Sequence, residues 1–556
     1  MVQKRTFLMV YCLSGVIVTT WASGAIASRK TVRLQTSSVA EFGIDALRLQ
    51  SQPYNLTGRK IALGQVEIGR PGKFGIDKAV SQKPLVQISQ VFFRDTLAKT
   101  NANVDNHAHS VASIILGGAK HVPGVAPAAR LYSAAAGTPK RYGQPEECLS
   151  AQNIASQNGG DVRAINFSFG ESLRQDPRPK AVLDGNALLT QCVDWSTRVH
   201  QTLYIVAGNQ GKGGISIPTD NYNGLNISFT MRLGGIFRKV DFANLGDPSG
   251  AGRAIEGIES NLGPRRAIGL TAPGSEISLL RLDGSVNTST GTSFAAPHVT
   301  GSVALLQEHG DRQLRRSCVA GRGCTLPWTT DSRRPEVMKA VLLNSADKLK
   351  DTGNGFYLGM SRTVLDKSNN TWLESDAAQD KTIPLHIQMG TGQLNAFRAY
   401  QQFNGGQWDG SRPVPSLGWD YRAIAQSPTP QPNGTTVPSY RDYVFAKPLR
   451  GGSYISATLA WNRLVELNDR NQNGLYDLDE TFRDRGLNDL NLYLMRADET
   501  DIRKAIWSSV STVDSLEHLF FQIPSTGAYK LRVVMHRKVN EPIQPYAIAW
   551  WSVPTR

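Results

Sequence analysis

The sequence predicts an α/β protein: a mainly parallel sheet with helices on both faces, followed by an all-β sandwich domain. Three observations carry this. Between about residues 55 and 403, short apolar runs alternate with stretches of helical spacing, the pattern of strands joined by crossover helices. Beyond about residue 440, only short alternating runs occur and no long amphipathic helix stands out. Between them, 404–439 turns to Gly, Pro and Ser, which marks a linker or an irregular first part of the next module. The 556 residues thus divide into a leader (1–27), an N-terminal extension (28–54), an α/β domain (55–403), the linker (404–439) and a β-sandwich (440–556).

At the N-terminus, Lys4 and Arg5 precede an apolar run over 7–18, and Ala25-Ile26-Ala27 fits a small-residue cleavage site. This reads as a secretory signal peptide cut after Ala27, with an uncleaved anchor as the alternative. The mature chain is then secreted or periplasmic. No later segment has eighteen consecutive apolar residues, so no stable membrane span is expected after cleavage. Loss of Lys4 and Arg5 lowers the net charge of +15 by two, to +13. The basic residues are scattered without a block of five and no nucleic-acid motif accompanies them, so a solvated basic surface is the expectation and nucleic acid is not a partner. The chain is expected to be a monomer.

Export gives the cysteines an oxidising setting. Cys148, Cys192, Cys318 and Cys324 remain after the leader, and three pairings are possible. Cys318 and Cys324 bracket a short loop, which makes a local bridge natural and leaves Cys148 with Cys192. Their spacings match no zinc pattern.

The elements follow in order. A short helix is read within 40–49. Residues 60–68 form a short apolar run closed by Gly-Arg-Pro-Gly, a buried strand entering a turn. At 105–115 polar residues give way to an apolar helical run bearing His107 and His109. A turn at 124–127 leads to a strand at 130–134, then a helix at 145–157 with Cys148. A strand over 162–170 precedes a helix over 185–199 with Cys192, and a buried strand over 203–209 ends in Gly208-Asn209. Residues 283–291 are a polar run ending in Gly291. Small and apolar residues then continue to Leu306, so a loop opens into a buried helix with Ser293 at its start. Unpaired N–H groups there favour a developing negative charge, and Pro297 is expected to be tolerated because a first turn does not need its N–H. Pro335 starts one more helix.

The stretch Gly291-Thr292-Ser293-Phe294-Ala295-Ala296-Pro297-His298-Val299-Thr300-Gly301 resembles the serine motif of the subtilisin-like proteases, Gly-Thr-Ser-x-Ala-x-Pro-His-Val-x-Gly. The resemblance implies that Ser293 is a nucleophile. Against that family's His-Gly-Thr-His-Val-Ala-Gly, the run Asp105-Asn106-His107-Ala108-His109-Ser110-Val111-Ala112 implies His107 as base, with Ala108 and Ser110 as departures and His109 as an extra, locally hydrogen-bonded histidine. Glu67-Ile68-Gly69 stands where the family has Asp, then Thr or Ser, then Gly, so Glu67 is the implied orienting acid and Asp77 the runner-up. Asn209 takes the place of the oxyanion donor, beside the Ser293 backbone N–H and assisted by Thr292. Ser168, Phe169 and Gly170 match the segment that pairs with extended substrate. The matched motifs run from about residue 55 to 403, through Gly124-Val125-Ala126-Pro127, Leu270-Thr271-Ala272-Pro273-Gly274 and Gly390-Thr391-Gly392-Gln393-Leu394-Asn395-Ala396.

In the last domain, Asn488-Asp489-Leu490-Asn491-Leu492 resembles a strand of the jelly-roll modules that follow some bacterial subtilases. The run 469–480 fits Asp-x-Asn-x-Asn-Gly-x₅-Glu. It predicts a structural calcium loop held by Asp469, Asn471, Asn473, the Leu475 carbonyl, Asp477 and Glu480; a polar hairpin loop is the alternative.

Together these readings imply a secreted serine endopeptidase that hydrolyses protein or peptide substrates through an acyl-enzyme. A subtilase-fold transpeptidase or macrocyclase, told apart by ligated or cyclic products, is the alternative. An inactive binding scaffold, raised by the Glu-for-Asp change, is the third reading.

Overall fold

The computed structural model describes residues 37–81, 83–138, 143–208, 216–233, 235–240, 261–318 and 328–556. The leader and the first nine residues after it therefore lie outside the described residues, as do Asn209 and Cys324.

The α/β unit is built from β1 (Ala62–Glu67), β2 (Gln90–Phe93), α1 (Asn106–Leu116), β3 (Arg130–Ala135), α2 (Gln144–Ala155), β4 (Val162–Phe167), α3 (Leu188–Val199), β5 (Leu203–Ala207), β6 (Leu225–Leu233), β7 (Leu270–Pro273), α4 (Thr292–Cys318), α5 (Pro335–Asn344) and α6 (Ala396–Asn404). The strands lie in the order β6-β5-β4-β1-β3-β2 and pair in parallel throughout, with β7 parallel to β6 as well. Short antiparallel pieces such as Ile236–Lys239 extend the edge, so the sheet is mainly parallel.

Alternation along the central strands explains the layers. Leu63, Ala164, Leu203 and Ile205 join the core with α1, α4 and α5, whereas Ala62, Val66, Ile165, Phe167, Tyr204 and Val206 join the core with α2 and α3. Both faces are covered, so β1 and β4 are buried along their whole length, as parallel strands require. Cys148 and Cys192 are disulfide-bonded and tie α2 to α3 within one face. The N-terminal extension is part of this unit from residue 37 onward: Val39, Ile44 and Leu49 are buried in its main core, and the short helix read there is Ala46–Gln50.

The second unit contains β8 (Leu417–Ala425), β9 (Tyr440–Val444), β10 (Tyr454–Trp461), β11 (Val465–Asn468), β12 (Thr481–Asp484), β13 (Asp489–Arg496), β14 (Trp507–Ser509), β15 (Leu516–Gln522), β16 (Tyr529–Arg537) and β17 (Ile543–Trp551). Two antiparallel four-stranded sheets, β8-β17-β10-β15 and β9-β16-β13-β14, close over Trp461, Leu492, Tyr529, Val533, Tyr546 and Trp550.

The segment 404–439, read as a linker or an irregular first part of the next module, contains a strand of the sandwich. Leu417–Ala425 pairs with β17 over all nine residues, and the Trp419 indole N–H donates to the Phe403 carbonyl at 2.9 Å. The surrounding Gly, Pro and Ser mask a strand whose partner lies more than a hundred residues away.

The other face of the first sandwich sheet is packed, not solvated. Ala460, Leu516, Ala547 and Ala549 belong to the core of the α/β unit. Ser456 donates to Asn344 Oδ1 at 2.9 Å, and Gln402 Nε2 donates to the carbonyls of Gly418 and Trp550. Small side chains on this face let α5 approach the sheet closely. No helix among the described residues is long and apolar enough to cross a membrane.

Candidate active site

Glu67 is the last residue of β1 and is 2% exposed. Two residues on, the chain turns at Gly69. A Cβ on Gly69 would stand 2.5 Å from the Asp105 Cβ, so glycine is what lets the two segments touch. There Arg70 N–H donates to the Asn103 carbonyl and Asp105 N–H to the Arg70 carbonyl, both at 2.8 Å. Asp105 then caps α1, its carboxylate accepting from the Ala108 N–H at 2.8 Å. Gln65, on the same side of β1 as Glu67, donates from Nε2 to the Ala108 carbonyl at 2.8 Å. These contacts fix the first turn of α1, which carries His107, against the end of β1.

His107 Nδ1 consequently lies 3.5 Å from Glu67 Oε2, at the outer limit of a hydrogen bond, with the imidazole side chain 41% exposed. Burial works against a proton on His107 and is outweighed by the Glu67 carboxylate, with Asp105 adding to it, so its pKa lies above the ordinary 6.5. Burial pushes the Glu67 carboxyl upward, with His107 pulling the other way.

Asp77 is engaged elsewhere. Its carboxylate takes both terminal nitrogens of Arg70, at 2.7 and 2.8 Å, and the N–H groups of Lys73 and Asn101. Both members of this ion pair are fully buried. His109 is buried behind the site, its Nδ1 has no hydrogen-bond partner among the described residues, and burial lowers its pKa to about 4.

The serine turn is built by the α4 start. Gly291 has φ 154° and donates to the Gly274 carbonyl at 2.8 Å. Thr292 Oγ1 donates to the Gly208 carbonyl at 3.3 Å, which ties the end of β5 to this turn. Asn209, the next residue, lies outside the described residues. The Phe294 ring stands 5.7 Å from the His107 ring, centroid to centroid, so the serine turn and the histidine turn are neighbours. Ser293 Oγ donates to the Ser168 carbonyl at 3.0 Å; no hydrogen bond between Ser293 and His107 is found among the described residues.

Pro297 departs from expectation. It is the sixth residue of α4, beyond the first turn, and its missing N–H would have bonded the Ser293 carbonyl. That carbonyl instead accepts from Ser168 Oγ at 2.9 Å. Ser168 and Ser293 thus hold each other reciprocally, and the proline makes this possible. Asn166 Nδ2 steadies Ser168 Oγ at 2.8 Å. Ser168, Phe169 and Gly170 leave the end of β4 beside Ser293; Phe169 stacks on Phe167 at 5.1 Å and Gly170 is exposed. His298, despite its place in the serine motif, is a buried brace between the Phe294 carbonyl and Ser38 Oγ, both at 2.7 Å.

Gln65 and Asp105 are positioning residues to which the sequence assigned no role, and Pro297 has a different role from the one expected. Period-2 alternation from Glu67 would have found Gln65, and the Asp-x-x start of a helix would have found Asp105.

The run 469–480 connects β11 to β12 as a hairpin loop. Asp469 accepts from the N–H groups of Asn473 and Gly474, Asp477 from the Asn471 and Asn473 amides, and Glu480 from the N–H groups of Arg470 and Asp477. Among the described residues, no three His, Cys, Asp or Glu side chains are gathered as a metal site. Cys318 closes α4, and its expected bridge to Cys324 lies outside the described residues.

A family model described as the subtilase family matches residues 81–361, about half of the chain. Subtilisin Savinase from Lederbergia lenta is 28% identical over 206 residues, which cover 37% of this chain; the match spans 64% of that protein's length. Among solved structures, the prenylagaramide maturation protease PagA is 21% identical, with coverage of 62% of this chain and 94% of that one and a TM-score of 0.39. A cold adapted subtilisin-like serine proteinase is 18% identical, with 56% and 92% coverage and a TM-score of 0.35. The patellamide maturation protease PatA is 21% identical, with 63% and 98% coverage and a TM-score of 0.39.

Proposed function

The chain belongs to the subtilase family, and from that premise we propose that it is a secreted serine endopeptidase with Ser293, His107 and Glu67 as its triad. The observation that carries the reading is the Glu67 carboxylate at His107 Nδ1, with the serine turn alongside. Ser293 Oγ attacks the scissile carbonyl carbon and His107 Nε2 takes the hydroxyl proton. The imidazolium is stabilised by buried Glu67, whose charge is little screened. The oxyanion is received by the Ser293 N–H, at the positive end of α4, and by the Asn209 side chain. Collapse breaks the C–N bond, His107 gives its proton to the leaving amine, and water repeats the sequence on the acyl-enzyme. Substrate backbone pairs along Ser168, Phe169 and Gly170.

The 469–480 hairpin is read as a structural calcium loop. Its donors are all oxygen: the side chains of Asp469, Asn471, Asn473, Asp477 and Glu480 and the Leu475 carbonyl. Gly474, at φ 75°, supplies the sharp turn, and Glu480 is buried with its carboxylate turned back on the loop. An all-oxygen donor set is the kind calcium takes. Bound calcium would replace the amide-to-Asp477 contacts.

The test of the triad is labelling of the full chain by a serine-directed phosphonate. Covalent labelling that disappears in Ser293→Ala supports the reading, and labelling that persists in that variant overturns it.

A further inference from the structure

Beside the segment 168–170, two glutamates meet out of water. Glu147 lies in the first turn of α2 and is fully buried; Glu171 follows Gly170 directly and is 1% exposed. Their side chains are hydrogen-bonded to each other. Two carboxylates cannot make that bond, because both only accept. No N–H or hydroxyl of the described residues donates to either oxygen of Glu147 or to Oε1 of Glu171. The contact therefore needs a proton.

The surroundings keep that proton in place. Burial raises the Glu147 carboxyl well above its usual 4.5, and the neighbouring Glu171 raises it further. Burial raises Glu171 as well, with the bond from Glu147 pulling the other way, so Glu147 is the donor and Glu171 the acceptor. The other charges acting on the pair are Glu146 of α2 and Asp176 beyond Glu171, both acidic. Arg94 and Arg178 pair with those two instead, at 3.1 and 2.7 Å. The two sides of the contact are not equally fixed. Cys148, next to Glu147, is disulfide-bonded to Cys192 and ties that turn to α3. Glu171 is held by one bridge: its N–H donates to the Ile217 carbonyl at 2.8 Å and its carbonyl accepts from the Ile217 N–H at 3.1 Å. Loss of the proton would leave two buried carboxylates in contact, and their repulsion would fall on the segment 168–171.

We propose that Glu147 and Glu171 form a proton-held latch that seats the segment 168–171, and that rising pH releases it. The latch stands without the peptidase reading; that its release weakens substrate pairing rests on that reading. Rising pH then acts twice, in opposite senses: it frees His107 to act as base and undoes the seat of the substrate segment. A carboxyl held protonated in the folded chain also makes stability fall as pH rises above 4.5, because the folded chain binds more protons than the unfolded one.

The test compares the full chain with Glu147→Gln, whose amide N–H still donates to Glu171 and does not titrate. In urea melts from about pH 5 to about pH 8, the parent should lose stability relative to the variant by about tenfold in the folding equilibrium per pH unit. Hydrogen exchange read by mass spectrometry, corrected for the intrinsic rate, should show protection of 168–171 at least tenfold lower at about pH 9 than at neutrality in the parent, and level in the variant. Glu171→Gln removes the repulsion from the other side and should also keep this segment protected. On fluorescein-labelled casein, KM should rise over the same span in the parent and stay level in Glu147→Gln, with kcat alike in both. Equal pH dependence of stability in parent and Glu147→Gln, or protection of 168–171 that does not fall in the parent, would overturn the latch. Falling protection with a level parental KM would overturn its link to substrate. No turnover by either protein would count against the peptidase reading alone, since the melts and the exchange decide the latch without it.

Discussion

Glu67 Oε2 stands 3.5 Å from His107 Nδ1, and a glycine two residues past Glu67 lets the histidine's own capping turn close over it. The glutamate ends its strand with its carboxylate directed at the imidazole.

The pair predicts a pH profile. The Glu67 charge holds His107 above 6.5, and the base must be neutral to act, so activity should rise with pH through an inflection above 6.5. Glu67→Gln removes the raising charge and leaves burial, which lowers the pKa, so its inflection should move to lower pH. A kcat/KM profile of both proteins checks this; an unmoved inflection would detach His107 from Glu67.

Buried histidines predict acid lability. His298, His309 and His386 have pKa values lowered by burial to about 4 from 6.5. Between those values the unfolded chain binds more protons at these sites than the folded one, so their contribution to stability falls as pH drops from 6.5 towards 4. Because Asp45, Asp420 and Asp514 are raised by burial to about 6 and act with the opposite sign in the same window, the check is made residue by residue: NMR titration should find these imidazoles still neutral at pH 5.5, and a ring that titrates near 6.5 would contradict its environment.

The motif glycine at 301 predicts a packing cost. A Cβ there would stand 2.6 Å from Val125 Cβ. Gly301→Ala should destabilise by about 1–3 kcal/mol, as overpacking does, measured by urea melts, without altering the pH inflection of activity.

Chelation predicts a change confined to stability. Removing calcium should lower the Tm, and Glu480→Gln should make the Tm insensitive to the chelator. An unchanged melt of the parent would remove the ion from the hairpin.

The reciprocal serines and the capping turn mark what the sequence could and could not reveal. The serine motif was readable because its spacing is local: Ser293 opens a helix, and Gly291 precedes it. The reason for Pro297 was not, because the carbonyl it frees is used by Ser168, more than a hundred residues upstream. The strand at Leu417–Ala425 was hidden for a similar reason, since its partner and the Trp419 seat lie in distant segments. Asp77 and Glu67 were both eligible acids by sequence; the pairing of Asp77 with Arg70, a residue next to neither motif histidine, is why Glu67 is the acid proposed.

The most direct measurement compares kcat/KM of Glu67→Gln and Asp77→Asn on one peptide substrate, with a melt of each. Glu67→Gln should lose about 10²–10⁴-fold in kcat/KM, the scale of a lost triad acid, with a Tm near the parent's. Asp77→Asn leaves Arg70 buried without its charge partner and should lose about 3–5 kcal/mol of stability, while the folded fraction keeps kcat/KM within a few fold. The reverse ranking, with activity lost in Asp77→Asn and kept in Glu67→Gln, would contradict Glu67 as the acid of this site.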